Sequence, residues 1–345
     1  MEAMELVAPA PPGLGPLRLS DRPQPVPGAG DVRLRVEACA VCRTDLQIAR
    51  GDLPAKRSPI VPGHQVVGRV VEAGAGVPAA LLGRRLGVGW LASACGSCTC
   101  CRSGRENLCR AAAFTGWDRD GGFATEVVVR LDFAQPLDGD LDPVLLAPLL
   151  CGGVIGFRAL RLAAVGNGDR LGLFGFGASA RLVLQVALAE GCEVSVVTRD
   201  QAARGRARAL GASWVGWTGE LPAGSLQGAI TFAPAGQVVV DALRSLDRGG
   251  TCVVNAIHLD GIPAFAYELL YWERRLISVA NFTRQDARDF LVAARRSPVR
   301  TTVTEFPLRA ANAALLGLER GELSGAAVLV PDLSPAEPRT RTATW

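Results

Sequence analysis

The sequence predicts an α/β protein of two domains, one β-rich and one built on a doubly wound parallel sheet, and three observations carry that prediction. The chain to about residue 150 is rich in Gly and Pro and holds β-branched runs such as Val32-Arg33-Leu34-Arg35-Val36 and Val66-Val67-Gly68-Arg69-Val70-Val71, a pattern of short strands joined by turns. Beyond about residue 155, strand-like and helix-like segments alternate, which places crossover helices between parallel strands. At the start of that region Gly175-Phe176-Gly177-Ala178-Ser179-Ala180 sits between an apolar strand and an amphipathic helix, where a doubly wound fold turns its first strand into its first helix.

In chain order, the second region predicts strands over 171–174, 194–197, 229–232, 251–254 and 277–279, with helices over 178–190 and 202–210. About six strands then complete one open sheet. A final β-like segment lies at 326–330, and the tail 331–345, rich in Pro, Thr and Arg, is expected to be mobile. With 345 residues, 49% hydrophobic and 20% charged, the chain can bury the cores of two domains and is not of disordered composition. Its 37 basic and 33 acidic residues leave a net charge of +4 without a long basic block, so nucleic acid is not an expected partner.

Glu2 and Glu5 precede a Pro- and Gly-rich start, unlike the basic and apolar opening of a signal peptide, and a cytoplasmic location is expected. The longest nearly apolar run, 144–157, is broken by Pro148 and Gly152-Gly153 and falls short of the roughly 20 residues that span a bilayer. No membrane anchor is expected. In such a chain the crowding of Cys95, Cys98, Cys100, Cys101 and Cys109 suggests metal before disulfide.

The glycine turn reads as a dinucleotide site. Gly175 permits the tight turn, Gly177 lets backbone approach a pyrophosphate, and the small Ala180 lets the helix pack close to the strand. The phosphates would meet the free N–H groups of the helix that begins at Ala178 and Ser179, next to Phe176. About twenty residues further on, where NAD enzymes place an acid for the ribose, the strand ends Val197-Thr198-Arg199-Asp200. Thr198 and Arg199 suit a 2′-phosphate, which favours NADP(H) slightly over NAD(H), while a return of Asp200 toward the ribose keeps NAD(H) open. Ile257, past the strand at 251–254, is expected at the nicotinamide, and His258 after it is given a structural role.

Cys95-x2-Cys98-x2-Cys101-x7-Cys109 offers four thiolates on one short lobe, which suits a closed tetrahedral zinc. Cys100 is read as a bystander, with substitution for Cys101 as the alternative. Cys42, His64 and Cys151 would make a three-ligand zinc site with an open position, although their spacing alone does not assemble them.

Taken together, these residues resemble the zinc-dependent medium-chain alcohol dehydrogenases of the medium-chain dehydrogenase/reductase superfamily. The resemblance rests on Val41-Cys42-Arg43-Thr44-Asp45, Pro62-Gly63-His64, the four-cysteine lobe, Gly121-Gly122-Phe123, Pro148-Leu149-Leu150-Cys151 and Gly175-Phe176-Gly177. It covers nearly the whole chain apart from the tail. It implies a GroES-like β-rich catalytic domain over 1–152 and 294–345, with its zinc lobe at about 90–112, and a Rossmann domain over 153–293. It also implies one catalytic zinc on Cys42, His64 and Cys151, one structural zinc on Cys95, Cys98, Cys101 and Cys109, and Asp45 as the acid that orients His64.

The activity implied is hydride transfer between primary, and less readily secondary, alcohols and NAD(P), with a zinc-bound alkoxide and a proton relay through Thr44. Three positions depart from the family pattern. Gln47 stands where many relatives end the relay with histidine, so that no group there changes charge near neutral pH. Gln65 replaces the usual Glu beside the ligand histidine, and Ala326 replaces an arginine. Trp90 and Trp117 are expected to wall a substrate pocket and to favour primary alcohols and aldehydes, with plain core or surface packing as the alternative. Two other readings stay open: a C=C (enal) reductase of the same fold, and a non-catalytic zinc-stabilised relative. The resemblance further implies a homotetramer or homodimer acting on a small alcohol or aldehyde.

Overall fold

The computed structural model describes residues 1–54, 56–137, 139, 141–297, 299–333 and 339–344. Two compact units divide the chain. The first holds residues 1–151, 283–287 and 301–344, and the second holds 152–282 and 288–300. The chain returns to the first unit at Thr283, leaves it within the helix Arg284–Arg296 and re-enters it at Thr301.

The first unit is built on an eight-stranded sheet whose long central strands, Asp31–Ala40 and Gln65–Ala73, pair antiparallel. Burial alternates along much of Asp31–Ala40, with Val32, Leu34 and Val36 inside, as period-two side chains on a half-buried sheet require. The register pairs Ala40 with Gln65, so the end of one strand lies beside the start of the other. Residues 42, two positions past the first end, and 64, one position before the second, are brought close by this pairing. Phe123, Leu34, Ile48, Ile60 and Leu86 fill the core beneath.

The tail departs from its expected mobility. Arg339–Thr344 forms a strand beside Arg300–Pro307 at the end of this sheet. Thr302 and Thr342 share a hydrogen bond of 3.0 Å between hydroxyls, and Thr304 and Thr340 one of 3.3 Å. Threonines at alternate positions suit one face of a strand, and that pattern outweighs the reading of the segment from its Pro and Arg content. Residues 334–338 and 345 of the same expectation lie outside the described residues.

The second unit carries a six-stranded sheet in the order Trp214–Gly216, Glu193–Val197, Arg170–Phe174, Leu226–Thr231, Leu246–Val254, Arg275–Ser278. Every pairing in it is parallel. Numbered from Arg170–Phe174, the order is 3-2-1-4-5-6, that of the doubly wound dinucleotide-binding sheet. Its strands are apolar runs because crossover helices cover them; Leu171, Leu173, Val194, Val196, Ala229 and Ile230 are buried. Glycines set the closest helix packing. A Cβ at Gly156 would stand 2.4 Å from Val183, and one at Gly153 would stand 2.3 Å from Phe290. Among the described residues no single helix is long and apolar enough to cross a membrane.

Candidate metal and cofactor sites

Cys42 caps the N-terminus of the helix Arg43–Arg50, and three residues on, Asp45 returns its side chain to the cap. Asp45 Oδ2 accepts the Cys42 N–H at 2.7 Å, and Oδ1 accepts the Gly63 N–H at 3.1 Å. The same Oδ1 lies 3.0 Å from His64 Nδ1. One fully buried carboxylate thus joins two chain segments and fixes the imidazole between them. Gly63 makes the approach possible: its φ is +97°, and a Cβ there would stand 2.4 Å from the Phe123 ring. Gly121 and Gly122 press on the same turn, donating to Val61 O at 2.7 Å and Gly63 O at 2.8 Å.

Cys151 follows the 3-10 turn Ala147–Leu150. Its Sγ, that of Cys42 and a nitrogen of His64 all lie within 4.8 Å of one another. Hydrogen bonding from Cys151 holds the Cys42 thiol well below its ordinary range, against the opposing effect of burial, and His64 contributes in the same direction. Cys151 is pushed up by that same bond and by burial. Burial would lower the pKa of His64, but the charge and hydrogen bond of Asp45, joined by Cys42, raise it to about 10. His64 Nε2 is buried without a hydrogen-bond partner. An unpartnered imidazole nitrogen facing two sulfurs, with its other nitrogen on a carboxylate, fits a divalent metal of zinc type. Thr44, 2% exposed, has its hydroxyl 3.8 Å from Cys42 Sγ.

The second cluster brings Cys95, Cys98, Cys101 and Cys109 together, again with every sulfur within 4.8 Å of the others. Cys101 Sγ lies 3.8 Å from Cys95 Sγ and 3.5 Å from Cys98 Sγ. Four sulfurs at about 2.3 Å from one zinc are separated by about 3.8 Å, so the set fits a closed tetrahedral ion. Backbone N–H groups of Ser97 and Cys98 hold the Cys95 thiol down to about 6, while burial and the neighbouring Cys98 push Cys101 up to about 12. Cys100 is not part of the cluster.

Residues near His64 extend this site. Trp90 meets the imidazole edge-on at 4.8 Å between ring centroids and stacks on Phe114 and Trp117. Phe114 was not expected from the sequence, where a lone aromatic in a turn-rich lobe carries no signal. Gln65, 4% exposed, donates through Nε2 to Ala40 O at 3.3 Å, so a neutral amide tied to the sheet follows the ligand histidine. Ala326 opens the strand Ala326–Val330, opposite Val303. Gln47 is half-buried on the helix Arg43–Arg50.

In the second unit Gly175 has φ +95°, and a Cβ there would stand 3.0 Å from Ala233 N. Phe176 is buried. Gly177 caps the helix Ala178–Ala189 without a side-chain hydrogen bond, and a Cβ at Gly177 would meet only open space. This open glycine before uncapped N–H groups of Ala178 and Ser179 fits the pyrophosphate of a dinucleotide. Thr198 O accepts from Arg204 Nε at 2.9 Å, and Arg199 is exposed. Asp200 is engaged elsewhere: it caps the helix Gln201–Ala209 through Ala202 N–H at 2.8 Å and pairs with Arg206 at 3.2 Å. Ile257 is 73% exposed. His258 is exposed as well, which corrects the structural role expected for it, since no core receives the ring.

Residues 28–139 match the alcohol dehydrogenase GroES-like domain. The probable alcohol dehydrogenase AdhA of Mycobacterium tuberculosis is 44% identical over 336 residues, covering 96% of this chain and 97% of its own length. Among solved structures, a cinnamyl alcohol dehydrogenase from Sorghum bicolor superposes with a TM-score of 0.86 at 26% identity, over 97% of this chain and 99% of that one. A cobalt- and zinc-bound thermostable alcohol dehydrogenase from Pyrobaculum aerophilum gives a TM-score of 0.84 at 25% identity, over 96% and 99%. With this fold and this whole-length similarity, the chain belongs to the zinc-dependent medium-chain alcohol dehydrogenase family and is an NAD(P)-dependent oxidoreductase.

Proposed function

We propose that this enzyme is a zinc-dependent alcohol dehydrogenase and aldehyde reductase that moves hydride between NAD(P) and primary alcohols, with secondary alcohols less favoured. The convergence of Cys42, His64 and Cys151, with an unpartnered His64 Nε2 among them, carries this reading. Those three residues would hold the catalytic zinc, and Cys95, Cys98, Cys101 and Cys109 the structural one. Bound there, zinc supplies the Lewis acidity that acidifies a hydroxyl or polarises a carbonyl, and the nicotinamide takes up or returns hydride.

The protein's own part begins with Asp45, which fixes the His64 tautomer so that the Nε2 lone pair faces the sulfurs. Thr44, whose hydroxyl lies 3.8 Å from Cys42 Sγ, would receive the substrate proton. Beyond it Gln47 carries no charge at any pH and would offer the proton no titrating terminus, so the rate should change little between pH 6 and 8, the range where a terminal histidine would titrate. Gly175, Phe176, Gly177, Ala178 and Ser179 would hold the pyrophosphate and Ile257 would flank the nicotinamide. Engagement of Asp200 as a helix cap leaves Thr198 and Arg199 to meet the adenosine ribose, which supports NADP(H) slightly over NAD(H). Trp90 and Trp117 would wall the substrate. A cytoplasmic homotetramer or homodimer is the assembly we favour.

The test follows nicotinamide absorbance with zinc-loaded protein, benzyl alcohol or a primary alkanol, and NAD or NADP in parallel, together with the metal content. Turnover with two zincs per chain supports the proposal, and the faster cofactor decides between Thr198 with Arg199 and the alternative. Two zincs without alcohol turnover, but with saturation of an enal, would assign the C=C reductase reading that Gln47 and Gln65 keep open. One zinc and no turnover would assign a zinc-stabilised relative without catalysis.

A further inference from the structure

Lys56 is the only lysine in the chain, and the fold places it at the end of a series of rings that starts at His64. From Trp90, edge-on to His64, the series passes to Trp117 at 6.0 Å and 16° and to Phe114 at 5.2 Å and 18°. Lys56 Nζ stands 3.9 Å from the Trp117 ring centroid and 5.7 Å from that of Phe114, within the range of a cation–π attraction. Two polar contacts secure this end. Lys56 Nζ pairs with Asp118 Oδ1 at 2.8 Å, and Trp117 Nε1–H donates to Pro54 O at 2.8 Å. The other oxygen of Asp118 accepts the Phe114 N–H at 2.8 Å, so one carboxylate ties the ammonium to the turn that carries both rings.

We propose that Lys56 is a positioning residue: it holds Trp117 flat against Trp90, and so fixes a planar aromatic wall beside His64 that selects aryl and conjugated alcohols and aldehydes over short alkyl ones. This rests on the alcohol dehydrogenase reading of the Cys42, His64 and Cys151 site. Without the ammonium, Trp117 keeps the bond to Pro54 but loses the charge on its ring, and rotation about that bond tilts the wall. Trp117 backs Trp90 while Lys56 lies over the Trp117 ring, so a planar substrate packed on Trp90 loses contact area when that backing tilts, whereas a small alkanol beside the metal ligands loses little. Arginine preserves the charge and stacks on aromatic faces; glutamine preserves the length without the charge.

Kinetics of Lys56→Gln and Lys56→Arg with benzyl alcohol and 1-propanol, together with near-ultraviolet circular dichroism of the stacked indoles, test the proposal. For Lys56→Gln the KM for benzyl alcohol should rise about three- to tenfold, as expected for loss of a partly shielded cation–π contact. Its kcat should stay within about twofold, the 1-propanol values should change less than those for benzyl alcohol, and the indole signal should weaken. Lys56→Arg should restore both the KM and the signal. An equal change for both alcohols, or an unchanged indole signal in Lys56→Gln, overturns the proposal. Should the unmodified enzyme turn over neither alcohol, the alcohol dehydrogenase reading fails instead. In that event quenching of tryptophan emission by benzaldehyde decides for Lys56, with weaker quenching in Lys56→Gln supporting the clamp and equal quenching overturning it.

Discussion

Both oxygens of Asp45 are taken up by N–H groups, with Cys42 on one side and Gly63 and His64 on the other. Asp45→Asn puts an NH2 where one of those acceptors stood, so either the helix cap or the imidazole loses its partner. Metal retention should weaken about 10- to 100-fold, read by competition with a zinc-sensitive dye; retention equal to the unmodified enzyme would count against the role given to this carboxylate. At this scale the sequence was most informative about ligands, because thiolates and imidazole are few and chemically distinctive. It was least informative about neighbours. Lys56 was conspicuous as the only lysine, but nothing in the sequence ties residue 56 to residue 117. The engagement of Asp200 was hidden in the same way, since an acid one residue past Arg199 reads equally as a ribose ligand or as a helix cap.

Between the single residue and the fold lies the cysteine lobe, which Glu106 anchors. Its carboxylate accepts the Arg284 backbone N–H at 3.0 Å and the Arg284 Nε at 3.1 Å, and both residues belong to the first unit. Burial works to raise the pKa of Glu106, but these bonds overcome it and bring the carboxyl below its ordinary value of 4.5. A depressed carboxyl pKa stabilises the folded state above pH 4.5, and this contribution is lost as pH falls through the folded value. Glu106→Gln should therefore cost about 1 kcal/mol at pH 7. Thermal unfolding followed from pH 7 to pH 3 should show the two proteins converging in acid; a constant gap would mean that the charge contributes nothing. The four-cysteine spacing was legible in the sequence because close spacing alone gathers the sulfurs. The bond from the lobe to a residue 178 positions along the chain was not, since it depends on the return of the chain to the first unit.

Two sheet edges govern behaviour at the scale of the whole molecule. In the first unit the strand Arg339–Thr344 closes the sheet beside Arg300–Pro307, and Arg341 pairs with Glu305, a nearly buried acid, and with Asp142 at 2.8 Å. Arg341→Ala leaves that acid without its cation. We expect a loss of about 1 kcal/mol, seen as a fall of about 2–4 °C in Tm; an unchanged Tm would mean that the tail strand does not help to hold the sheet. In the second unit the strand Arg275–Ser278 ends the parallel sheet, and before it stand the exposed Tyr267, Tyr271 and Trp272. Open edges flanked by apolar side chains invite pairing with another chain. Sedimentation should give a dimer or tetramer, and Tyr271→Asp should shift it toward smaller species; a monomer at micromolar concentration would argue against this edge as an interface.

By itself the sequence determined the two-part architecture, the glycine turn, the cysteine lobe and the candidate ligands, because each rests on local periodicity, on steric freedom at glycine, or on the short spacing of rare side chains. The likeness to a known family joined Cys42, His64 and Cys151 before any geometry was available. Only the tertiary structure decided which groups face one another: the pairing of Ala40 with Gln65 that brings residues 42 and 64 together, the placement of Lys56 on Trp117, and the edge strand formed by a tail expected to be mobile. Those contacts join segments far apart in the chain. They depend on strand register and on an available sheet edge, and neither is encoded at any one position.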